Sequence, residues 1–176
     1  PGNRGWLMFR TTGPEKVDLG EWNEAYWPRV RECLTTMRDH GIVAHVSLFE
    51  RCLPWDVHPF NPRFNTNPEL GDLDRNQNGN GLERGEFFDI AALTDPQASP
   101  SQKALKRYQE RIVERLIAET SPFPNVMYEI GNELPDPGLD WIEYWVKFIR
   151  ARSDRLITYN GPEGLTAPGL DGATEH

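Results

Sequence analysis

Glu133 is the side chain best placed in this sequence to do chemistry. It closes the run Asn125-Val126-Met127-Tyr128-Glu129-Ile130-Gly131-Asn132-Glu133-Leu134-Pro135, in which a short apolar segment ends abruptly in Gly-Asn-Glu before a proline. A carboxyl group at such a boundary can give or take a proton, and the amide beside it can both donate and accept hydrogen bonds. An apolar run bounded by breakers reads as a parallel strand covered on both faces, its last residues emerging into a loop. Residues four apart in a strand share a face, so Glu129 and Glu133 are expected to point the same way, the first deep and the second at the rim. Glu133 is then the one positioned to meet a substrate.

The elements that hold this pair alternate along the chain. Trp22, Tyr26, Val30, Cys33, Leu34 and Met37 recur at helical spacing, with Asn23 as N-cap and His40-Gly41 as the stop. Pro28 predicts a kink, or a helix regular only beyond it. Residues 42–49, β-branched and nearly uncharged, read as the next strand. His45 within it reads as a hydrogen-bonded core residue. Glu50 and Arg51 end that strand, where α/β sites form, and are possible site residues. Residues 99–119 carry Leu105, Tyr108, Ile112, Val113, Leu116 and Ile117 on one stripe, with Pro100 in the first turn. A second helix bears Trp141, Ile142, Trp145, Phe148 and Ile149, and residues 156–159 read as another strand. Residues 1–20 are polar and turn-rich and read as a loop entering a helix. Strands alternating with helices predict a parallel α/β architecture, and long loops after strands favour a barrel over a doubly wound sheet.

Residues 52–97 form an excursion far longer than the ~2–6 residues of an ordinary βα connection. It opens with Trp55, His58-Pro59-Phe60-Asn61-Pro62, Asn65 and Asn67: prolines stiffen, amides can bond hydroxyls, and Trp55 or Phe60 can offer a ring to a sugar face. This run, the Asn/Gly-rich loop and long helix after it, and the Asn132-Glu133 pair resemble the clan A glycoside hydrolases. Within that clan they resemble the cellulase-like branch of family five type. In those (β/α)8 barrels a His-Pro-Trp-Asn-Pro run follows the third strand and an Asn-Glu pair ends the fourth; Phe60 stands here where Trp is usual.

The resemblance covers most of the chain and implies a parallel (β/α) barrel of TIM type. It is partial, from the loop after the second strand to about the sixth strand, with residues 1–176 as one catalytic domain carrying the insertion at about 52–97. It implies retaining hydrolysis of O-glycosidic bonds in a β-linked polysaccharide or oligosaccharide. Glu133 would be the general acid/base, its acid role helped by partial burial, and Asn132 would bond a sugar hydroxyl. His58, Trp55, Phe60, Asn61, Arg10 and, at a later strand's rim, His176 are the further substrate-binding positions it implies. Retention normally needs two carboxyls about 5–5.5 Å apart. In the family the nucleophile ends the seventh strand, and no residue here matches it, so the chain alone is expected to be inert. Export is implied by analogy alone, and no cofactor is implied.

Composition excludes other classes. Of 176 residues 38% are hydrophobic, enough for a core, and a net charge of -8 argues against a nucleic-acid partner. No run of ~20 apolar residues is present to span a membrane. Cys33 and Cys52 fit no metal or redox spacing and read as packing residues. Asp72, Asp74, Asn76 and Asn78 alternate as calcium ligands do, with Glu83 twelfth from Asp72, which makes a calcium-binding structural module one alternative function. Gln77 stands where that loop needs glycine, however, so an Asn/Gly-rich turn is the preferred reading. The other alternative is a non-catalytic, carbohydrate-binding or degenerate barrel.

Overall fold

A computed structural model of the chain describes residues 8–50, 59–73, 82, 84–134, 137–161 and 167–174. They divide into two compact units, residues 1–28 with 53–110, and residues 29–52 with 111–176.

The first unit opens on a hairpin where the sequence reads as a loop. Strands β1 (Phe9–Gly13) and β2 (Lys16–Trp22) pair antiparallel, with irregular register. Val17 and Leu19 are buried between exposed or half-buried neighbours, the two-residue period of a strand with one covered face. Phe9 stacks on Trp22 at 5.5 Å, and Trp27 meets the Trp22 ring edge-on at 5.7 Å. The excursion is tied to this hairpin by its backbone: Val17 N–H donates to the Phe64 carbonyl and Thr66 N–H to that of Val17, both at 3.0 Å. Phe60, Leu70, Leu73, Leu82 and Phe87 are each at most 1% exposed, so much of the excursion packs as an ordered core. It includes helix α2 (Arg84–Phe88) and two single 3-10 turns, Pro68–Leu70 and Ala91–Leu93.

Helix α1 (Tyr26–Asp39) leads into the second unit. Pro28 falls in its first turn, where the missing N–H has no partner to lose, so neither a kink nor a late start is required. Its buried residues are Trp27 and Leu34, seven apart, while Cys33 is exposed and free. The packing expected of Cys33 is therefore corrected, and Cys52 lies outside the described residues.

Strands β3 (Ala44–Glu50), β4 (Val126–Asn132), β5 (Ile157–Asn160) and β6 (Gly172–Thr174) form one parallel sheet in that order. Helix α3 (Pro100–Thr120) leads into β4, and α4 (Leu139–Arg150) connects β4 to β5. The class is thus α/β with a four-stranded parallel sheet. Between β3 and β4 the register runs from Ala44 beside Val126 to Glu50 beside Asn132. Between β4 and β5 it slips: Glu129 pairs with Thr158 but Asn132 with Asn160, so β4 spends three residues where β5 spends two, a bulge. Tyr128, Ile130 and Tyr159 are fully buried, and Phe49 packs against Trp141 and Trp145 of α4 at 5.3 and 5.0 Å. The Tyr128 hydroxyl, 2.8 Å from Thr120 Oγ1, ties α3 to β4. Among the described residues no helix is long and apolar enough to cross a membrane.

Candidate functional site

Glu50, Asn132 and Asn160 are the last residues of β3, β4 and β5, and their side chains meet. Asn132 Nδ2 donates to the Glu50 carboxylate, 3.0 Å from Oε1 and 3.1 Å from Oε2. Asn160 Nδ2 donates to Asn132 Oδ1 at 2.6 Å. This polar cluster sits at the C-terminal edge of the sheet, where parallel α/β proteins build their sites.

Glu133 follows at once, and its backbone is unusual. Its φ is 50°, left-handed for a non-glycine residue, and its N–H donates to the Asn160 carbonyl at 3.1 Å. Strand β4 ends at Asn132, so the alternation that would put Glu129 and Glu133 on one face stops one residue short. Glu129 is buried, whereas Glu133 is exposed, and the partial burial expected of it is not seen among the described residues. A Cβ at Gly131 would lie 2.3 Å from Leu134 Cδ1 and 3.3 Å from Tyr159, so any larger residue beside this turn would have to displace the Leu134 side chain.

Deeper in the sheet, His45 Nε2 lies 2.8 Å from Thr158 Oγ1 and 3.7 Å from Glu129 Oε1. The His45 side chain is 44% exposed, so it is a hydrogen-bonded surface histidine and not the core residue expected.

The other expected positions that the structure describes belong to the first unit. Phe60 is buried at 1% exposure, 6.2 Å from Phe87, and offers no ring face to a ligand. Asn61 is fully buried, its side-chain oxygen accepting the Arg63 N–H at 3.0 Å, which is a turn-forming role. Arg10 is exposed and donates to Asp18 at 3.3 Å. Burial raises the Asp18 carboxyl, but hydrogen bonds from Gly20 and Asn67 and the Arg10 guanidinium outweigh it and hold it below its usual value. Asn67 also donates to the Tyr108 hydroxyl at 2.9 Å, and Tyr108 donates to Glu69; burial and that carboxylate push the phenol up. Asp72 gives its backbone N–H to Ser101 Oγ at 3.2 Å, and among the described residues no group of three His, Cys, Asp or Glu is placed to hold a metal. Trp55, His58, Asp74, Asn76, Asn78 and His176 lie outside the described residues.

Two features escape sequence reading. Asn160 lies just past the strand expected over residues 156–159, and only the strand register makes it a partner of Asn132. Lys106 is 1% exposed, its ammonium donating to the Phe87 carbonyl at 2.5 Å and Gln109 Oε1 at 2.8 Å. Burial pushes it down to about 7, against the upward pull of the Asp89 and Glu110 carboxylates. A separate open cleft of about 650 Å³ adjoins Ser121, Arg150, Arg152 and Ser153, residues that precede the strands. Its arginines are engaged, Arg150 with Asp171 at 2.5 Å and Arg152 with Glu114 at 3.2 Å.

Comparison with known proteins finds no match: no protein-family model, no curated protein and no solved structure aligns with this chain.

Proposed function

We propose that this chain carries the acid/base end of a retaining glycoside hydrolase of clan A type, a parallel (β/α) barrel acting on a β-linked polysaccharide or oligosaccharide. Glu133 would protonate the leaving oxygen and later activate water, and Asn132 would hold a sugar hydroxyl. The nucleophilic carboxyl would come from a residue beyond the positions the resemblance covers. The observation that carries the reading is the gathering of Glu50, Asn132, Asn160 and Glu133 at the C-terminal ends of three adjacent parallel strands. The exposure of Glu133 favours a second reading, a barrel that binds carbohydrate without cleaving it.

The test is hydrolysis of aryl β-glycosides by the full-length protein that contains these residues. Glu133→Gln is expected to lower turnover by roughly 10²–10⁴-fold, the worth of a positioned acid/base, while leaving oligosaccharide binding in place. Turnover undiminished by that change removes Glu133 from the chemistry. Binding without any turnover selects the second reading.

A further inference from the structure

We propose that Glu50 is a positioning residue of the strand-end site, fixing the Asn132 amide in one orientation so that it meets a sugar hydroxyl as an N–H donor. The sugar half of this inference rests on the carbohydrate reading above. An asparagine amide turned over about its last bond keeps its shape, so its orientation is set by what its two ends face. The pair Asn132 and Asn160 alone does not settle the matter, because turning both amides over together preserves the bond between them. Glu50 breaks that symmetry. An ionised carboxylate only accepts, and both its oxygens lie within 3.1 Å of the Asn132 end that faces it, so that end must be nitrogen. The amide oxygen is then turned to Asn160. The two oxygens of one carboxylate lie in nearly one direction as seen from Nδ2 and occupy one N–H, which leaves the second N–H for a ligand oxygen. Glu50 and Asn132 are direct register partners, so the sheet itself delivers the carboxylate to this place.

Glu50→Gln keeps the shape and removes the charge that dictates the orientation. The Asn132 side-chain NH₂ resonances of the isotope-labelled chain report it directly. One Asn132 amide proton, held by the Glu50 carboxylate, is expected to exchange with solvent more slowly than the other, and the difference is expected to shrink in Glu50→Gln; two protons that exchange alike while Glu50 is present overturn the proposal. In a second arm cellotetraose is titrated into both proteins. Glu50→Gln is expected to bind roughly tenfold more weakly, the equivalent of one well-placed hydrogen bond, with the remaining spectrum unchanged. Equal affinity overturns the assignment. If cellotetraose binds neither protein, the carbohydrate reading fails, and the proton exchange of Asn132 still decides whether Glu50 sets the amide.

Discussion

Lys106→Met is expected to remove much of the pH dependence of stability between about pH 6 and about pH 9.5. Lys106 is 1% exposed, and its ammonium titrates at about 7 in the folded chain against an ordinary 10.5. The sign follows from which state holds the proton. Below 7 folded and unfolded chains both carry the charge, and the cost of burying it is present in full. Above 7 the folded chain gives up its proton while the unfolded chain keeps it, so stability climbs by about 1.4 kcal/mol per pH unit until the ordinary value is reached. Tyr26, Tyr108 and Tyr128 are all raised, chiefly by burial, and withdraw stability above their ordinary value of 10.0, so about pH 9.5 is a clean upper limit. Over that window Lys106 contributes a rise of about 3 kcal/mol. In Lys106→Met the Phe87 carbonyl keeps the Gln109 Nε2 donor at 3.1 Å, while Gln109 Oε1 loses a partner at a pH-independent cost of roughly 1–3 kcal/mol. The stability of the unaltered chain relative to the methionine variant should therefore improve by about 3 kcal/mol from the lower pH to the higher. Urea unfolding followed by intrinsic fluorescence, to which Trp22 and Trp27 of the same unit contribute, measures this. Parallel pH profiles for the two proteins would refute the burial of a proton-losing lysine.

Trp145→Ala should destabilise by about 3–5 kcal/mol, because Trp145 is fully buried with Phe49, Phe148 and Trp141 rings at 5.0, 5.3 and 6.1 Å. A urea-midpoint change worth less than about 1 kcal/mol would show that the core closes without it. At Glu133 the left-handed φ of 50° favours glycine, so Glu133→Gly should be more stable than Glu133→Ala by about 1 kcal/mol in thermal unfolding, and the reverse order would contradict that backbone. Burial tends to raise the Asp171 carboxyl, but the Ile157 N–H and Arg150 outweigh this and hold it below its usual 3.8. Its contribution is present above that value and fades as pH falls through the lower folded one. Asp171→Asn should flatten that part of the acid unfolding curve, and identical acid limbs would refute it.

Regular elements with strong periodicity were legible from residues alone. The stripe Leu105, Ile112, Val113, Leu116 and Ile117 and the Trp141–Ile149 face are where α3 and α4 run, and the apolar runs read over 42–49 and from 125 onward are where β3 (Ala44–Glu50) and β4 (Val126–Asn132) lie. The hairpin was hidden because β1 buries only Phe9 fully and the turn places Glu15 at φ 57°, where glycine or asparagine would have signalled it. Strand β6, three residues long, has no period to read. At the site, the arrival of Asn132 and Glu133 at a strand's end was legible, and so was Glu50 as a strand-terminal carboxylate. The bond between Glu50 and Asn132 was not, since it depends on which residue of one strand lies beside which of another. Lys106 adjoins the apolar stripe, where a lysine ordinarily reaches for solvent; its burial follows from the Phe87 carbonyl arriving from a distant segment.

The extra residue that β4 inserts opposite β5 makes spacing part of the strand-end chemistry. Removing one position between Glu129 and Asn132 would restore even pairing with β5 but break the register with β3, turning the asparagine to the face opposite Glu50. A distant relative that kept the letters Asn-Glu but lacked this insertion would spell the same motif and fail to assemble it. Kinship in this protein is thus better judged by counting residues along that strand than by matching the pair at its tip.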